Sequence, residues 1–239
     1  SWHKYQGRFI SRRKYSFMKR APEAIIFDFD GTIVDTEPVW RRACMSIYHD
    51  LGVPMTDALM SETSGMPMSV ALPYWFKRFP WKDTRSIADL AHETVRRVLS
   101  IFEKDGPVLR DGAKELLSRA SEVSQKMAIC SSSPESFIRS SIDALGVAEY
   151  FSVIRSSDSD GKHKPDPAVY LSTVRLLGAT KSACVAIEDS VAGVTSACDA
   201  GVRCIAVPDA RFVDLKKVSR ADFVALSLND VTRDVLLFP

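Results

Sequence analysis

The sequence predicts an α/β protein: an open parallel sheet with crossover helices, broken near its start by an all-helical insertion. Three observations predict it. Short continuous apolar runs, at 24–27, 127–130 and 184–187, each close on acids or hydroxyls, as strands buried on both faces do. Helical apolar periods separate these runs, so strand and helix alternate. Residues 38–108, by contrast, contain no strand-like run.

Taken in order, Ala24-Ile25-Ile26-Phe27 is the first strand and runs into Asp28. The insertion reads as helices at 40–51, 57–63, 69–79 and 84–103, with breakers at Gly52-Val53-Pro54, Gly65-Met66-Pro67 and Gly106-Pro107. Asp111-Gly112 opens a helix carrying Ala113, Leu116, Leu117 and Ala120 on one face. The strand at 127–130 ends in Ser131-Ser132-Ser133; Ser133 is expected to cap the next helix, with Pro134 at its first position and Gly146 beyond its end. Asp166-Pro167 starts a helix with Val169, Val174 and Leu177 inward and Gly178 at its close. The run at 184–187 leads into Glu188-Asp189-Ser190, followed by a helix to Ala200 with Gly201 as its C-terminal cap. Further strands are expected at 202–207, closed by Pro208, and at 223–226. The expected division is a leader at 1–20, disordered; a sheet core at 21–37 and 109–239; and a helical cap at 38–108.

The chain of 239 residues can bury a sizeable core, and 46% hydrophobic with 26% charged residues excludes a disordered or fibrous protein. No apolar run approaches the roughly 18 residues that span a bilayer. Five cysteines without a CxxC pattern argue against a disulfide framework and for a reducing compartment. The net charge of +2 averages two unlike parts. Residues 1–20 hold seven basic side chains and no acid, which leaves 25 basic against 30 acidic residues elsewhere. The leader reads as a solvated tail, a transit-peptide remnant or a functional arm; an acidic body offers no second basic face for nucleic acid. His3, His49, His92 and His163 are scattered, which gives zinc no site.

In open α/β sheets ligands bind beyond the carboxyl ends of the strands. Those ends carry Asp28 and Asp30, Ser131 and Ser132, and Glu188 and Asp189. Four carboxylates gathered there need a cation, and an oxygen-only set suits Mg²⁺. Lys164, at a loop-to-helix junction, could grip an anion. A carboxylate beside a metal and a lysine can attack a phosphoryl group, while a second serves as acid and then as base. Taken singly, each residue has a plainer reading: Asp30-Gly31 as a turn, Glu188-Asp189-Ser190 as a helix start, Ser131 and Ser132 as caps, Lys164 as a solvated charge.

Taken together they resemble the haloacid dehalogenase superfamily. Asp28-Phe29-Asp30-Gly31-Thr32 matches its first motif and Ser131 its second. Lys164-Pro165-Asp166-Pro167 matches the third, and Glu188-Asp189-Ser190 with Ala192-Gly193 the fourth. The resemblance implies a Rossmann-like core with a helical cap, Asp28 as nucleophile and Asp30 as acid/base. It further implies Mg²⁺ held by the Asp28 carboxylate, the Asp30 main-chain carbonyl and Asp189 with Glu188 assisting, and phosphate gripped by Ser131, Ser132 and Lys164. Within the superfamily the chain is most similar to sugar-phosphate and hexitol-phosphate phosphatases, through Tyr74-Trp75-Phe76, Ser131-Ser132-Ser133-Pro134 and Pro165-Asp166-Pro167-Ala168-Val169-Tyr170-Leu171. One departure is Gly65-Met66-Pro67-Met68, where related caps often carry a basic residue after the glycine.

The expected function is therefore Mg²⁺-dependent hydrolysis of a small phosphorylated sugar or polyol through a phospho-aspartate. The alternatives are a β-phosphoglucomutase-like phosphomutase and a catalytically silent binding module. The partner expected is a small phosphate ester, with no membrane and no nucleic acid, for a monomer in the cytoplasm, or in an organelle interior if the leader belongs to a transit peptide.

Overall fold

The computed structural model describes residues 19–63, 66, 68–209, 213 and 215–239. Most of the basic leader, and Gly65 and Pro67 of the Gly65-Met66-Pro67-Met68 stretch, lie outside the described residues.

Six parallel strands make one sheet: β1 (Ala24–Phe27), β2 (Met127–Ser131), β3 (Val153–Ser156), β4 (Cys184–Glu188), β5 (Arg203–Ala206) and β6 (Phe223–Val224), in the order β3-β2-β1-β4-β5-β6. β1 lies between β2 and β4, Phe27 facing Ile129 on one side and Ile187 on the other. Every residue of β1, β2 and β4 is buried, which is why they read as unbroken apolar runs. Each fully buried Ile or Phe contributes about 1.5–3 kcal/mol.

β3 was not expected. It is an edge strand, partly exposed through Val153, Ile154 and Arg155, and Arg155 is drawn into an ion pair with Asp160 at 2.5 Å. Two apolar residues followed by a cation leave no run to detect. The strands expected at 202–207 and 223–226 are shorter, ending at Ala206 and Val224.

Between β1 and β2 the chain builds α1 (Glu37–Asp50), α2 (Asp57–Glu62), α3 (Met68–Arg78) and α4 (Ile87–Asp105). They share a cluster of Ile47, Tyr48, Leu72, Trp75 and Leu90, with Trp75 Nε1 donating to Thr63 Oγ1 at 3.0 Å. α4 starts three residues later than its apolar period suggested. Ser86 caps it in a capping box: Asp89 N–H donates to Ser86 Oγ at 3.1 Å and Ser86 N–H to Asp89 Oδ2 at 3.0 Å. Val98 and Phe102, at the far end of α4, join the core beneath the sheet instead. The chain leaves and returns as an antiparallel pair: Val34 bridges Leu109, Asp35 N–H donates to Val108 O, and Arg110 N–H donates to Ile33 O, both at 2.9 Å.

The remaining helices cover the sheet. α5 (Ala113–Val123) and α6 (Glu135–Ala144) pack Leu116, Leu117, Ile138 and Ile142 against Ile25 and Phe27. α7 (Ala168–Leu176) and α8 (Val191–Ala200) pack Val169, Tyr170 and Val194 against Ala24 and Ile26 on the opposite face. A last turn, α9 (Arg233–Leu236), adds Leu236 to the first face. Among the described residues no helix is long and apolar enough to cross a membrane.

From β1 the chain winds outward through β2 to β3 on one side and through β4 to β6 on the other. The winding reverses between β1 and β4, which opens a crevice at their carboxyl ends. Asp28 follows β1 there, and Glu188 ends β4 with Asp189 beyond it.

Candidate active site

The ends of β1 and β4 and the loop before α7 deliver polar groups to that crevice. Asp28 is buried, its N–H tied to Ile187 O at 2.9 Å by the continuing β1–β4 ladder. Lys164 enters from the loop before α7 and donates from Nζ to Asp28 Oδ1 and Glu188 Oε1, both at 2.6 Å, and to Cys130 O at 2.9 Å. All three ammonium protons are therefore used, on a side chain 5% exposed. Glu188 Oε1 also accepts from Tyr170 Oη at 2.8 Å, and Lys164 Nζ lies 5.2 Å from the centre of the Tyr170 ring.

Asp30 lives differently. Its Oδ2 accepts from Ser131 Oγ at 3.0 Å and from Ser133 Oγ at 2.7 Å, and Ser133 N–H in turn donates to Ser131 Oγ at 2.9 Å. Ser133 was expected to cap α6. It serves Asp30 instead, so the helix starts at Glu135 without a side-chain cap. Ser131 likewise holds Asp30, while Ser132 is exposed and lines the cavity with Asp28, Asp30, Lys164, Asp189 and Arg110. That cavity encloses about 320 Å³. A larger cleft of about 510 Å³, between α4 and α6, is lined mainly by apolar groups such as Leu99, Phe102 and Phe137. It holds none of the groups just described.

Carboxylate oxygens of Asp28, Glu188 and Asp189 lie within 4.8 Å of one another. Burial, and then the neighbouring Glu188, Asp189 and Asp30 acting against Lys164, push the Asp28 carboxyl well above its usual range. Asp189 is pushed up to about 8 by burial and Glu188, with Arg110 opposing. Burial also raises Asp30, against the bonds from Ser133 and Ser131. Lys164 is lowered by burial but raised further by Asp28 and Glu188, so it stays an ammonium. Lys164, with Arg110 beside Asp189, does not balance two buried and two half-buried acids. The donors are all oxygen and short of positive charge, which fits a hard divalent cation.

Two glycines make this crowding feasible. A Cβ on Gly31 would overlap the Asp189 carboxylate, and Gly31 also needs φ of +71°; a Cβ on Gly193 would overlap that of Glu188.

All the residues expected at the site are thus brought to one end of the sheet. Three were missed: Ser133, assigned to capping; Tyr170, noted only as part of a longer match; and Arg110. Arg110 follows Leu109 in the returning segment and donates from Nη1 to Gly31 O at 2.5 Å and Val207 O at 2.8 Å. Nothing local marks such an arginine, since both acceptors are main-chain carbonyls distant in sequence.

The chain is similar to known proteins over most of its length. The chain is 29% identical over 215 residues to hexitol phosphatase B of Escherichia coli strain K12, covering 90% of this chain and 96% of that protein. It is 32% identical over 181 residues to a phosphorylated carbohydrates phosphatase of Thermotoga maritima, covering 75% and 82%. The crystal structure of CbbY from Rhodobacter sphaeroides in complex with phosphate superposes with a TM-score of 0.67 at 26% identity, covering 88% of this chain and 96% of the other. The model of the haloacid dehalogenase-like hydrolases matches residues 25–207, and with the crevice built as described the chain belongs to that enzyme family.

Proposed function

We propose that this hydrolase is a Mg²⁺-dependent phosphatase of a small phosphorylated sugar or polyol, working through a phosphorylated Asp28. The observation that carries the proposal is the contrast between two carboxylates two residues apart. Asp28 sits in the cluster with Lys164, whereas Asp30 is turned to the hydroxyls of Ser131 and Ser133. Two carboxylates in unlike surroundings can take unlike roles.

An Asp28 oxygen attacks phosphorus, and the bond from phosphorus to the sugar oxygen breaks. Asp30, raised by burial and so able to hold a proton, delivers it to that leaving oxygen. Asp30 then takes a proton from water, whose oxygen attacks phosphorus and releases inorganic phosphate from Asp28. Lys164 balances charge beside Asp28, and Ser132, exposed at the cavity wall, donates to a phosphate oxygen. Mg²⁺ would be held by the Asp28 and Asp189 carboxylates and the Asp30 main-chain carbonyl, with Glu188 behind them; when bound, it neutralises phosphate charge during transfer. Helices α1–α4, from Glu37 to Asp105, act as the cap over this cavity.

Hydrolysis is favoured over phosphomutase chemistry by the cavity's outer wall. A mutase must hold a second phosphate. Among the described lining residues the cations are Lys164 and Arg110, both bonded within the protein.

Phosphate release should be measured from sugar, polyol, glycerol and nucleotide phosphates, with Mg²⁺ and with EDTA. The expected result is metal-dependent release from one narrow group, lost by at least about 10³-fold in a folded Asp28→Asn variant. No release from any ester, with turnover only when a sugar bisphosphate is supplied, would establish the mutase instead.

A further inference from the structure

Among the described residues of the cavity wall, Arg110 is the one cation for which neither the chemistry nor the motifs above provide a role. It stands where the chain returns from the helical layer to the sheet, its N–H bonded to Ile33 O. Its side chain reaches out of that pair to two other segments, Nη1 donating to Gly31 O at 2.5 Å and Val207 O at 2.8 Å. Gly31 lies in the turn after β1, and Val207 follows β5. In the sheet order β1-β4-β5 those two strands flank β4, so the guanidinium ties their ends across the end of β4, where Glu188 and Asp189 stand. Val207 N–H is bonded to Glu188 O at 2.6 Å, which completes the brace. The Gly31 turn is packed so closely on Asp189 that a Cβ there would overlap its carboxylate.

We propose that Arg110 is a positioning residue for the divalent-cation site: by joining the Gly31 turn to Val207 over the end of β4, it fixes the Asp30 main chain relative to the Asp28 and Asp189 carboxylates. This rests on the metal reading given above. A ligand set already held in place loses less freedom on binding, so removing the brace weakens the metal. A planar guanidinium suits one nitrogen shared between two carbonyls, and lysine, shorter and tetrahedral, replaces it poorly. The charge of Arg110 acts the other way. A cation so near the site repels a second one, so electrostatics alone predicts tighter metal binding once the arginine is neutralised. The two effects therefore differ in sign.

Thermal stabilisation of the metal-free full-length chain by added Mg²⁺, without substrate, should be titrated for the wild type, Arg110→Met and Arg110→Lys. The expected result is a Mg²⁺ midpoint raised about 10-fold in Arg110→Met and less in Arg110→Lys. The KM for a phosphate ester at saturating Mg²⁺ should stay within about 2-fold of wild type, because a brace for the metal leaves bound substrate alone. An unchanged or lower midpoint in Arg110→Met overturns the proposal. So does a raised KM with an unchanged midpoint, which would make Arg110 a substrate contact. Should Arg110→Met fail to fold, Arg110→Lys decides on the same criteria. A wild type that Mg²⁺ does not stabilise removes the metal reading itself, and this proposal with it.

Discussion

The carboxyl end of the sheet and the helical layer above it use charge in opposite ways. At the sheet, Lys164 with 5% of its side chain exposed joins Asp28 and Glu188, at 8% and 0%. In the layer, Arg41–Asp57, Arg42–Asp105 and Arg78–Glu62 pair at 2.5–2.8 Å across side chains 26–81% exposed. Similar distances carry different energies. Exposed pairs exchange water for little gain and are screened by salt. Buried ones depend wholly on one another, because a charge left without its partner cannot turn to water. The lesson is that the layer can change its surface pairs at little cost to folding, whereas the crevice cannot change one member without answering for the rest. The layer's firmness comes instead from apolar packing around Trp75.

Breaking the buried cluster should have the largest effect. Lys164→Met leaves Asp28 and Glu188 facing each other without a cation, and is expected to lower stability by about 3–5 kcal/mol along with phosphate release. Chemical denaturation of this variant would show whether the lysine matters to folding as well as to catalysis; unchanged stability would mean that the cluster protonates instead. Trp75→Ala removes a fully buried indole from the layer, at a cost of about 3–5 kcal/mol, but should disturb KM more than kcat. Equal loss in both constants would contradict the division of labour between layer and sheet.

Asp189→Asn should act in the opposite direction. An acid raised from 3.8 to about 8 on folding contributes fully below its unfolded value and loses that contribution as pH rises towards its folded one. In EDTA the variant should therefore match the parent below about pH 4 and melt increasingly higher towards pH 8, by about 2–4 °C. On the metal site proposed above the order should reverse in Mg²⁺, since the variant lacks one of its carboxylates. A melting difference independent of pH would sink this account. The smallest effect belongs to Arg42→Ala. Its partner Asp105 and the guanidinium both face solvent, and the melting temperature should stay within about 2 °C of the parent.

Where the sequence was legible, it was so for physical reasons visible in these contrasts. Strands buried on both faces must be continuously apolar, so β1, β2 and β4 announced themselves, and the acids after them could be read as a site. β3, a half-exposed edge carrying Arg155, could not. Helix starts were readable where the capping side chain stays with its own helix, as Ser190 does by accepting from Gly193 N–H at 3.0 Å. They were misread where it does not: Ser133, a capping residue by type, is claimed by Asp30 across 103 positions of sequence. Arg110 illustrates the limit. It recognises carbonyl groups, which every residue possesses, so no pattern of side chains could disclose its partners.

By itself the sequence determined which residues are apolar enough to form the central strands, which acids and which lysine terminate the segments between them, and that a helical stretch interrupts the sheet. These depend on residue type and local order, and follow from hydropathy and chain stereochemistry alone. Tertiary structure decided how the charges are shared: that Lys164 is spent on Asp28 and Glu188, that Ser131 and Ser133 both serve Asp30, and that Gly31 and Gly193 leave room for carboxylates. The reason is that desolvation, charge balance and close packing depend on distances in space, and those exist only once the strands have been brought side by side.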